Sequence, residues 1–496
     1  MSARRRRRRR RTLYHRDELP GGGGRGSETV VTTTTTTTTK DDDVEGGGEG
    51  MPIVVPIVSV PRSEVSLRWD VVVLLNLAGI AIEDLVCVDD DVASRLLSSP
   101  PPMTETSSAI RTSNTTTTAA ISAIPLLLTL VDHNRIRSSY DHLSSFVIEI
   151  LDHHVDELYR ADDVTVDSGM RNVAYENGNA LVASTCTLVV ERMLRDMSRM
   201  SSSSSSSSSP PAYHSIDPGL CLLLLGVILL DTVNMNPNAG KGTARDERAM
   251  RALMQYADWK SFGDDVGGIR RATSSLVDYA STFERVFPNG RGSPPDASAL
   301  YDALSSAKFD PRYWSTLSVS DCLRIDYKRF EVSSNSSNSS NSSSSLVSAI
   351  GISSVLVGMD TMLAREDFIR DLSTYVTSSL SSSDLYGMMT LTFREGDGGS
   401  PVRGLLLAGA DASIVNSFAD FLVNSADAAF LDMCEVEFGD EEGGRVPLGT
   451  SAGSGGDVED VNAGIAIRVF RQGNGKGSRK QVAPVLLRHA ARDSRL

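Results

Sequence analysis

The sequence predicts an α/β protein of two domains, an N-terminal parallel sheet and a smaller, more mixed α/β domain, with the working site in the cleft between them. Three observations carry this. Between Pro52 and about residue 265, apolar runs alternate with amphipathic segments, the βαβ rhythm of a parallel sheet. Two of those runs end abruptly in Asp-His, at Leu130-Val131-Asp132-His133-Asn134 and again at Ile150-Leu151-Asp152-His153-His154. From Ala297 onward the pattern changes to shorter strands and helices in mixed order.

The chain has 496 residues, but much of it is low-complexity and adds nothing to a core. Lys and Arg number 49 against 63 Asp and Glu, a net charge of −14, which argues against a general binder of nucleic acid or anionic membranes. A polyanionic substrate then needs a local basic pocket. Cys87, Cys186, Cys221, Cys322 and Cys434 are scattered with no metal-ligand spacing, which suits a reducing compartment, with the cytoplasm as the default. The longest apolar stretch, Leu220 to Leu230, is too short to cross a bilayer. Arg4 to Arg11 has no hydrophobic segment behind it and reads as part of a solvated tail.

Residues 1 to 50, with runs of arginine, glycine and threonine, are expected to be disordered, and folding is expected to begin near Pro52. Ile53 to Val60 reads as a β-branched strand, Leu67 to Leu75 as a helix and Leu85 to Val88 as a strand. Residues 97–119 are a predicted loop insertion, followed by a strand from Leu126 to Val131; residues 201–211 and 333–345 are further insertions. The first domain spans 51–265 and the second 296–496. The run Leu222 to Leu230 reads as a strand or helix end closing in Asp231, a third acidic terminus.

A strand that ends in Asp-His delivers carboxylate and imidazole where α/β sheets place their chemistry. The pair suits Mn²⁺ or Mg²⁺: hard carboxylate oxygens balance the ion's charge and a neutral imidazole adds directional ligation. One such pair is as readily a helix cap; two in succession point to a site. Ala183 to Met193 opens like a helix behind small hydroxyl residues, which either cap it or help hold a phosphate oxygen. Gly240-Lys241-Gly242-Thr243 lacks P-loop spacing. Gly473 to Gln481 carries Lys476, Arg479 and Lys480 directly before a final helix, either an anion site or a solvated basic turn.

In order and spacing, these segments resemble the DHH phosphoesterase superfamily, in the branch of yeast-type exopolyphosphatases and Prune proteins, related to family II inorganic pyrophosphatases. The motifs that carry the likeness are VPIVSVPRSEVSLRWD (55–70), LVDHN (130–134), ILDHHVDE (150–157), STCTLVVERM (184–193), ILLDTVNMNPNAGKGTARD (228–246), AKFD (307–310), LRIDYKRFE (323–331) and GNGKGSRKQ (473–481). The resemblance implies a five-stranded parallel DHH domain, a DHH-associated C-terminal domain, and a two-ion site for Mn²⁺ or Mg²⁺. Within it Asp132 bridges both ions, His153 and Asp231 complete one ion's ligands, and His154 faces the phosphate. Lys328, Arg479 and Lys480 bind phosphate oxygens from the second domain. The implied reaction is attack of a metal-bound hydroxide on a terminal phosphate of polyphosphate. Pyrophosphatase or short-chain polyphosphatase activity of Prune type is the nearest alternative.

The superfamily's first motif, a strand leading into a GNExxDxDS-like turn, has no counterpart before Pro52, where only threonines, glycines and Asp41-Asp42-Asp43 stand. The expectation is a sheet lacking its first strand and one ion lacking most of its ligands. Two accounts follow: a recorded start that replaces the natural one, which the survival of the other site residues favours, or a degenerate member that binds phosphate, or serves as a scaffold, without turnover.

Overall fold

A computed structural model describes residues 30–36, 52–98, 126–136, 138–156, 170–177, 179–203, 215–262, 276–290, 292–332, 347–393, 400–436 and 464–493. In the first domain the apolar runs become strands: β1 (Val30–Thr36), β2 (Pro52–Val58), β3 (Val86–Cys87), β4 (Leu126–Val131), β5 (Val147–Asp152) and β6 (Arg171–Val173). They form one sheet in the order β3-β2-β1-β4-β5-β6. β4 and β5 run parallel with Val131 opposite Leu151, so Asp132 and Asp152 leave the sheet at the same end. Leu128, Leu130 and Ile150 are buried in the core beneath.

β1 corrects the expectation of a disordered tail to residue 50 at seven of its residues. Val30–Thr36 lies in the middle of the sheet, antiparallel to both neighbours, with Val30 opposite Val58 on one side and Val131 on the other. Among the described residues the sheet thus has six strands with one reversed, where the resemblance implies five, all parallel. Low complexity reads as disorder because it offers few apolar residues, yet all seven residues of β1 are β-branched, the side chains best suited to a pleated backbone. Pairing on both sides also satisfies the backbone polar groups. The rest of the predicted tail, and nearly all of the three predicted insertions, lie outside the described residues.

The longer helices described in this domain are α1 (Trp69–Leu77), α2 (Asp91–Ser98), α3 (Thr185–Ser203), α4 (Pro218–Thr232) and α5 (Ala244–Tyr256). α4 settles the leucine-rich run as a helix. The Asp217 carboxylate accepts from the Leu220 amide at its start, Pro218 occupies its first turn, and Val233 ends it in the left-handed region at φ 54°. Leucine buried on nearly all sides leaves no polar face, so periodicity could not separate strand from helix. Asp231 accordingly comes from a helix end, not a strand end.

Asp246, fully buried, ties α5 to the turn before α3. Its carboxylate accepts from the Ala183 amide at 3.0 Å, the Thr187 hydroxyl at 2.6 Å, and the Thr243 amide and hydroxyl at 2.9 and 2.7 Å. Beyond lie α6 (Tyr279–Val286) and α7 (Ala297–Lys308). α7 falls on the C-terminal side of the boundary drawn from the sequence, but its Leu300 and Leu304 join the core of Leu74 and Leu225 in the first domain.

The second domain follows α8 (Val319–Arg324) with β7 (Lys328–Glu331), β8 (Ala349–Val355), α9 (Phe368–Ser379), β9 (Asp384–Phe393), β10 (Pro401–Gly409), α10 (Ala412–Asn424), β11 (Met433–Glu435), β12 (Ala466–Gln472) and α11 (Arg479–Asp493). Its sheet order is β11-β12-β10-β9-β8-β7, with β8 and β9 parallel and the other pairs antiparallel, the mixed sheet that was expected. Among the described residues no helix is long and apolar enough to cross a membrane. All five cysteines are free thiols.

Candidate functional site

The site begins where β4 stops. Asp132 adopts φ 66°, a left-handed conformation that aspartate tolerates, and turns the chain away from the sheet. Its carboxylate accepts the Thr185 hydroxyl at 2.6 Å. His153 leaves β5 at the same end, with Nδ1 3.2 Å from the Val182 carbonyl. That contact assigns the ring proton to Nδ1 and leaves the Nε2 lone pair facing Asp132 Oδ1 at 3.7 Å. His154 packs edge-on against His153, with ring centroids 4.5 Å apart. One ligand atom from each of Asp132, His153 and His154 lies within 4.8 Å of the other two.

Asp152 holds this arrangement from below. Fully buried, it accepts the His153 and His154 amides at 2.8 and 3.3 Å, pairs with His154 Nδ1 at 2.8 Å, and accepts the Asn134 amide at 2.5 Å. Burial pushes its carboxyl up, but His154 and Asn134 outweigh burial and hold it below the usual range. Sequence reading quoted Asp152 within its motif and gave it no role. The signal was there: an aspartate between a buried strand and two histidines points inward and needs partners. His153 is held below its usual range, first by burial and then by His154 and Lys480, against the pull of Asp132. The neutral ring that results is the form that ligates cations.

Asp231 opens on the same cavity as Asp132, a space of ≈ 400 Å³ also bounded by Val58, Val131, Ser184 and Thr185. Desolvation there raises its carboxyl to about 6, against the Ser184 hydroxyl and Lys308. It stands outside the Asp132–His153–His154 group, so the structure gathers two of the three predicted metal ligands with His154 in the third place. The hydroxyls that open α3 act on the site's carboxylates: Thr185 on Asp132 and Ser184 on Asp231. Lys308 and Lys241, to which the sequence assigned no role, add positive charge beside Asp231. Arg62, by contrast, is structural: it pairs Asp90 at 2.5 Å and donates to the Ile82 and Leu85 carbonyls.

The second domain brings its cations to the opposite wall. Desolvation in the cleft, then Lys328, lowers the Lys480 ammonium, while Asp132 and Asp231 attract it. Arg479 is already engaged: its guanidinium donates to the Asp326 carboxylate at 2.9 Å, to the Asp326 carbonyl, and to the Ile352 carbonyl at 3.4 Å. The preceding glycine loop is a shaped turn. The buried Gln472 amide donates to the carbonyls of Asn474 and Gly477, each at 2.7 Å, and Arg403 Nε donates to the Gly475 carbonyl at 2.8 Å. A Cβ on Gly475 would stand 2.5 Å from the Pro401 carbonyl oxygen, a backbone atom that cannot step aside. Gly475→Ala is therefore expected to destabilise the fold by about 1–3 kcal/mol, read as a fall in thermal midpoint, with displacement of Arg479 and Lys480.

A solved structure assigned to the family II inorganic pyrophosphatases, from Methanococcus jannaschii, is 16% identical, with a TM-score of 0.34, covering 69% of this chain and 73% of that one. The family model described as the DHHA2 domain matches residues 302–489. Exopolyphosphatase PRUNE1 of Mus musculus is 25% identical over 361 residues, 72% of this chain and 56% of that protein. The Homo sapiens counterpart is 23% identical over 377 residues, 76% of this chain and 60% of that protein. The chain thus spans rather more than half the length of these curated relatives. The DHHA2 match at one end, the Prune relatives along most of the chain and the Asp-His strand ends between them agree in likening this chain to the DHH phosphoesterases of Prune type.

Proposed function

We propose that this chain is a metal-dependent phosphoanhydride hydrolase of exopolyphosphatase type, which releases the terminal phosphate of polyphosphate. The observation that carries the reading is the convergence of Asp132, His153 and His154 within 4.8 Å, with Lys480 acting on them from the other domain. A carboxylate and a neutral imidazole fit a divalent ion such as Mn²⁺ or Mg²⁺, held by Asp132 and His153 with Asp231 nearby. Bound there, the ion supplies Lewis acidity and an activated water.

The chain's own residues do the rest. Thr185 fixes the Asp132 carboxylate, and the Val182 carbonyl fixes the His153 ring. Asp152 holds the Nδ1 proton of His154, so Nε2 of that ring faces the substrate. Lys480, Lys328 and Arg479 offset the charge on phosphate oxygens, which grows most costly as the anhydride bond breaks. The partners implied are polyphosphate or pyrophosphate, and the free thiols suit the cytoplasm. Phosphate release from pyrophosphate, tripolyphosphate and long-chain polyphosphate, each with Mn²⁺ or Mg²⁺, tests the reading: preference for the longer chains supports it, and preference for pyrophosphate makes the chain a pyrophosphatase.

A second reading, phosphate binding without turnover, is favoured by one observation. β1 runs opposite to its neighbours and brings its first residue, Val30, to the end of the sheet where Asp132 stands. Among the described residues there is a single three-ligand group. Phosphate binding with no release from any of the three substrates would select this reading.

Asp231 gives a pH signature. Its folded carboxyl titrates at about 6, above the ordinary 3.8 of the unfolded chain, so its contribution to stability is whole below 3.8 and is lost as pH rises through about 6. In the metal-free protein, Asp231→Asn is expected to raise the thermal midpoint at pH 8, and the difference is expected to shrink as pH falls through about 6. An equal effect at both ends of that range would show that the acid is not desolvated.

A further inference from the structure

Asp326 stands between guanidiniums from both halves of the molecule. It sits between α8 and β7 at φ 47°, a left-handed turn. The next residue, Tyr327, is buried at 4% and lies against Gly351, whose missing side chain leaves room for the ring; a Cβ there would stand 2.1 Å from the phenol oxygen. That anchor fixes Asp326 at the cleft together with Lys328. On one side Asp326 takes two hydrogen bonds from Arg479, through a carboxylate oxygen and through its main-chain carbonyl. On the other, it lines both the ≈ 400 Å³ cavity of Asp132 and Asp231 and an adjoining ≈ 130 Å³ cavity, and Arg68 of the first domain lines both with it.

We propose that Asp326 is a positioning residue for phosphate binding: it presents Arg479 to the cleft in one orientation, and its negative charge keeps the surrounding cations from retaining the released phosphate. The inference rests on the reading that Arg479 takes phosphate. Three features support it. Only part of the Arg479 donor set remains open, because Nη1 serves two backbone carbonyls and Nη2 the carboxylate, which restricts the approach of an anion. Asp326 stays ionised: burial pushes its carboxyl up, but Arg479 and Arg68 outweigh burial and hold it below the usual range. A lone arginine on the first turn of a helix samples many rotamers, and fixing it in advance lowers the entropy lost on binding.

The test is calorimetric titration of the full chain with inorganic phosphate, comparing Asp326→Asn, Asp326→Ala and Arg479→Ala. Asparagine still accepts from Arg479 but carries no charge, so phosphate should bind about fivefold to tenfold more tightly than to the wild type. Alanine removes the side-chain acceptor and keeps only the main-chain carbonyl, and phosphate should bind several-fold more weakly than to the asparagine variant. In the Arg479→Ala background, Asp326→Ala should cause no further loss. Weaker binding by Asp326→Asn overturns the proposal by itself, even if the alanine variant fails to fold. So does an alanine variant that matches the asparagine one, or a loss that persists undiminished without Arg479. If Arg479→Ala leaves phosphate binding unchanged, the assignment of Arg479 to phosphate falls and this inference falls with it. If Arg479→Ala abolishes binding while neither Asp326 variant changes it, only the role of Asp326 is refuted.

Discussion

Replacing Asp132 by alanine is expected to abolish manganese binding at the Asp-His cluster and to cut phosphate release from tripolyphosphate by on the order of a thousandfold. Asp132 is the one carboxylate that faces both rings, at 3.7 Å from His153 Nε2 and 3.8 Å from His154 Nδ1. Of the other carboxylates, Asp152 is buried and already spends its lone pairs on four hydrogen bonds, and Asp231 lies on the cavity but outside the three-ligand group. Removing Asp132 therefore takes the only carboxylate out of the three-ligand group and leaves its two imidazoles, which hold hard cations poorly. Asp132→Asn separates charge from shape, since it still accepts the Thr185 hydroxyl, and it should lose nearly as much affinity for manganese as the alanine variant. Calorimetric titration with manganese decides the point independently of activity. Unchanged affinity in Asp132→Ala would remove the cluster from consideration as a metal site.

Asp246→Ala should be the most destabilising of the substitutions discussed, by about 3 kcal/mol, because four donors, the Thr187 hydroxyl fully buried and the others partly so, lose their acceptor at once. In a domain of this size that corresponds to a fall of roughly 10 °C in the thermal midpoint, measured by calorimetry or circular dichroism. The effect reaches the site as well. Asp246 grips the turn at Ala183 and the helix at Thr187, and between them lie Ser184 and Thr185, which serve Asp231 and Asp132. Manganese affinity should therefore fall in Asp246→Ala under conditions where the protein is still folded. A variant of wild-type stability would mean that these contacts are replaced by water.

How far the sequence disclosed this molecule can be followed residue by residue. The Asp-His strand ends were legible because a buried run that stops at charged residues leaves little choice about where those residues point. Their mutual geometry was less so: Asp152 and Asn134 act through contacts between neighbouring strands, and the register that aligns β4 with β5 is set by the whole sheet. For the run that ends in Asp231 the sequence left strand and helix both open, since a leucine run buried on nearly all sides has no periodicity to read. Asp246 closes the 228–246 motif and passed unremarked, because a staple between distant segments looks like an ordinary helix-start residue until its partner at Ala183 is known. Arg479 was singled out for its positive charge; that Asp326 holds it could not be read across a gap of 153 positions.

The threonine strand at the centre of the sheet carries a consequence for how the molecule assembles. A strand normally finds its alignment because a slip of one residue turns its apolar face to water. A run of identical residues gives no such signal: after Val30 and Val31 every position of β1 is threonine, and threonine continues through residue 39. Sliding it by two positions exchanges like for like everywhere except at the two valines, so those valines, opposite Val58 and Ile57 on one side and Val131 and Leu130 on the other, are what distinguish the native alignment from its neighbours. Until that insertion is complete, β2 and β4 each present an open, apolar edge. The slow and error-prone step in folding should thus be threading of this strand into the gap, with shifted alignments and edge-to-edge self-association as the competing outcomes.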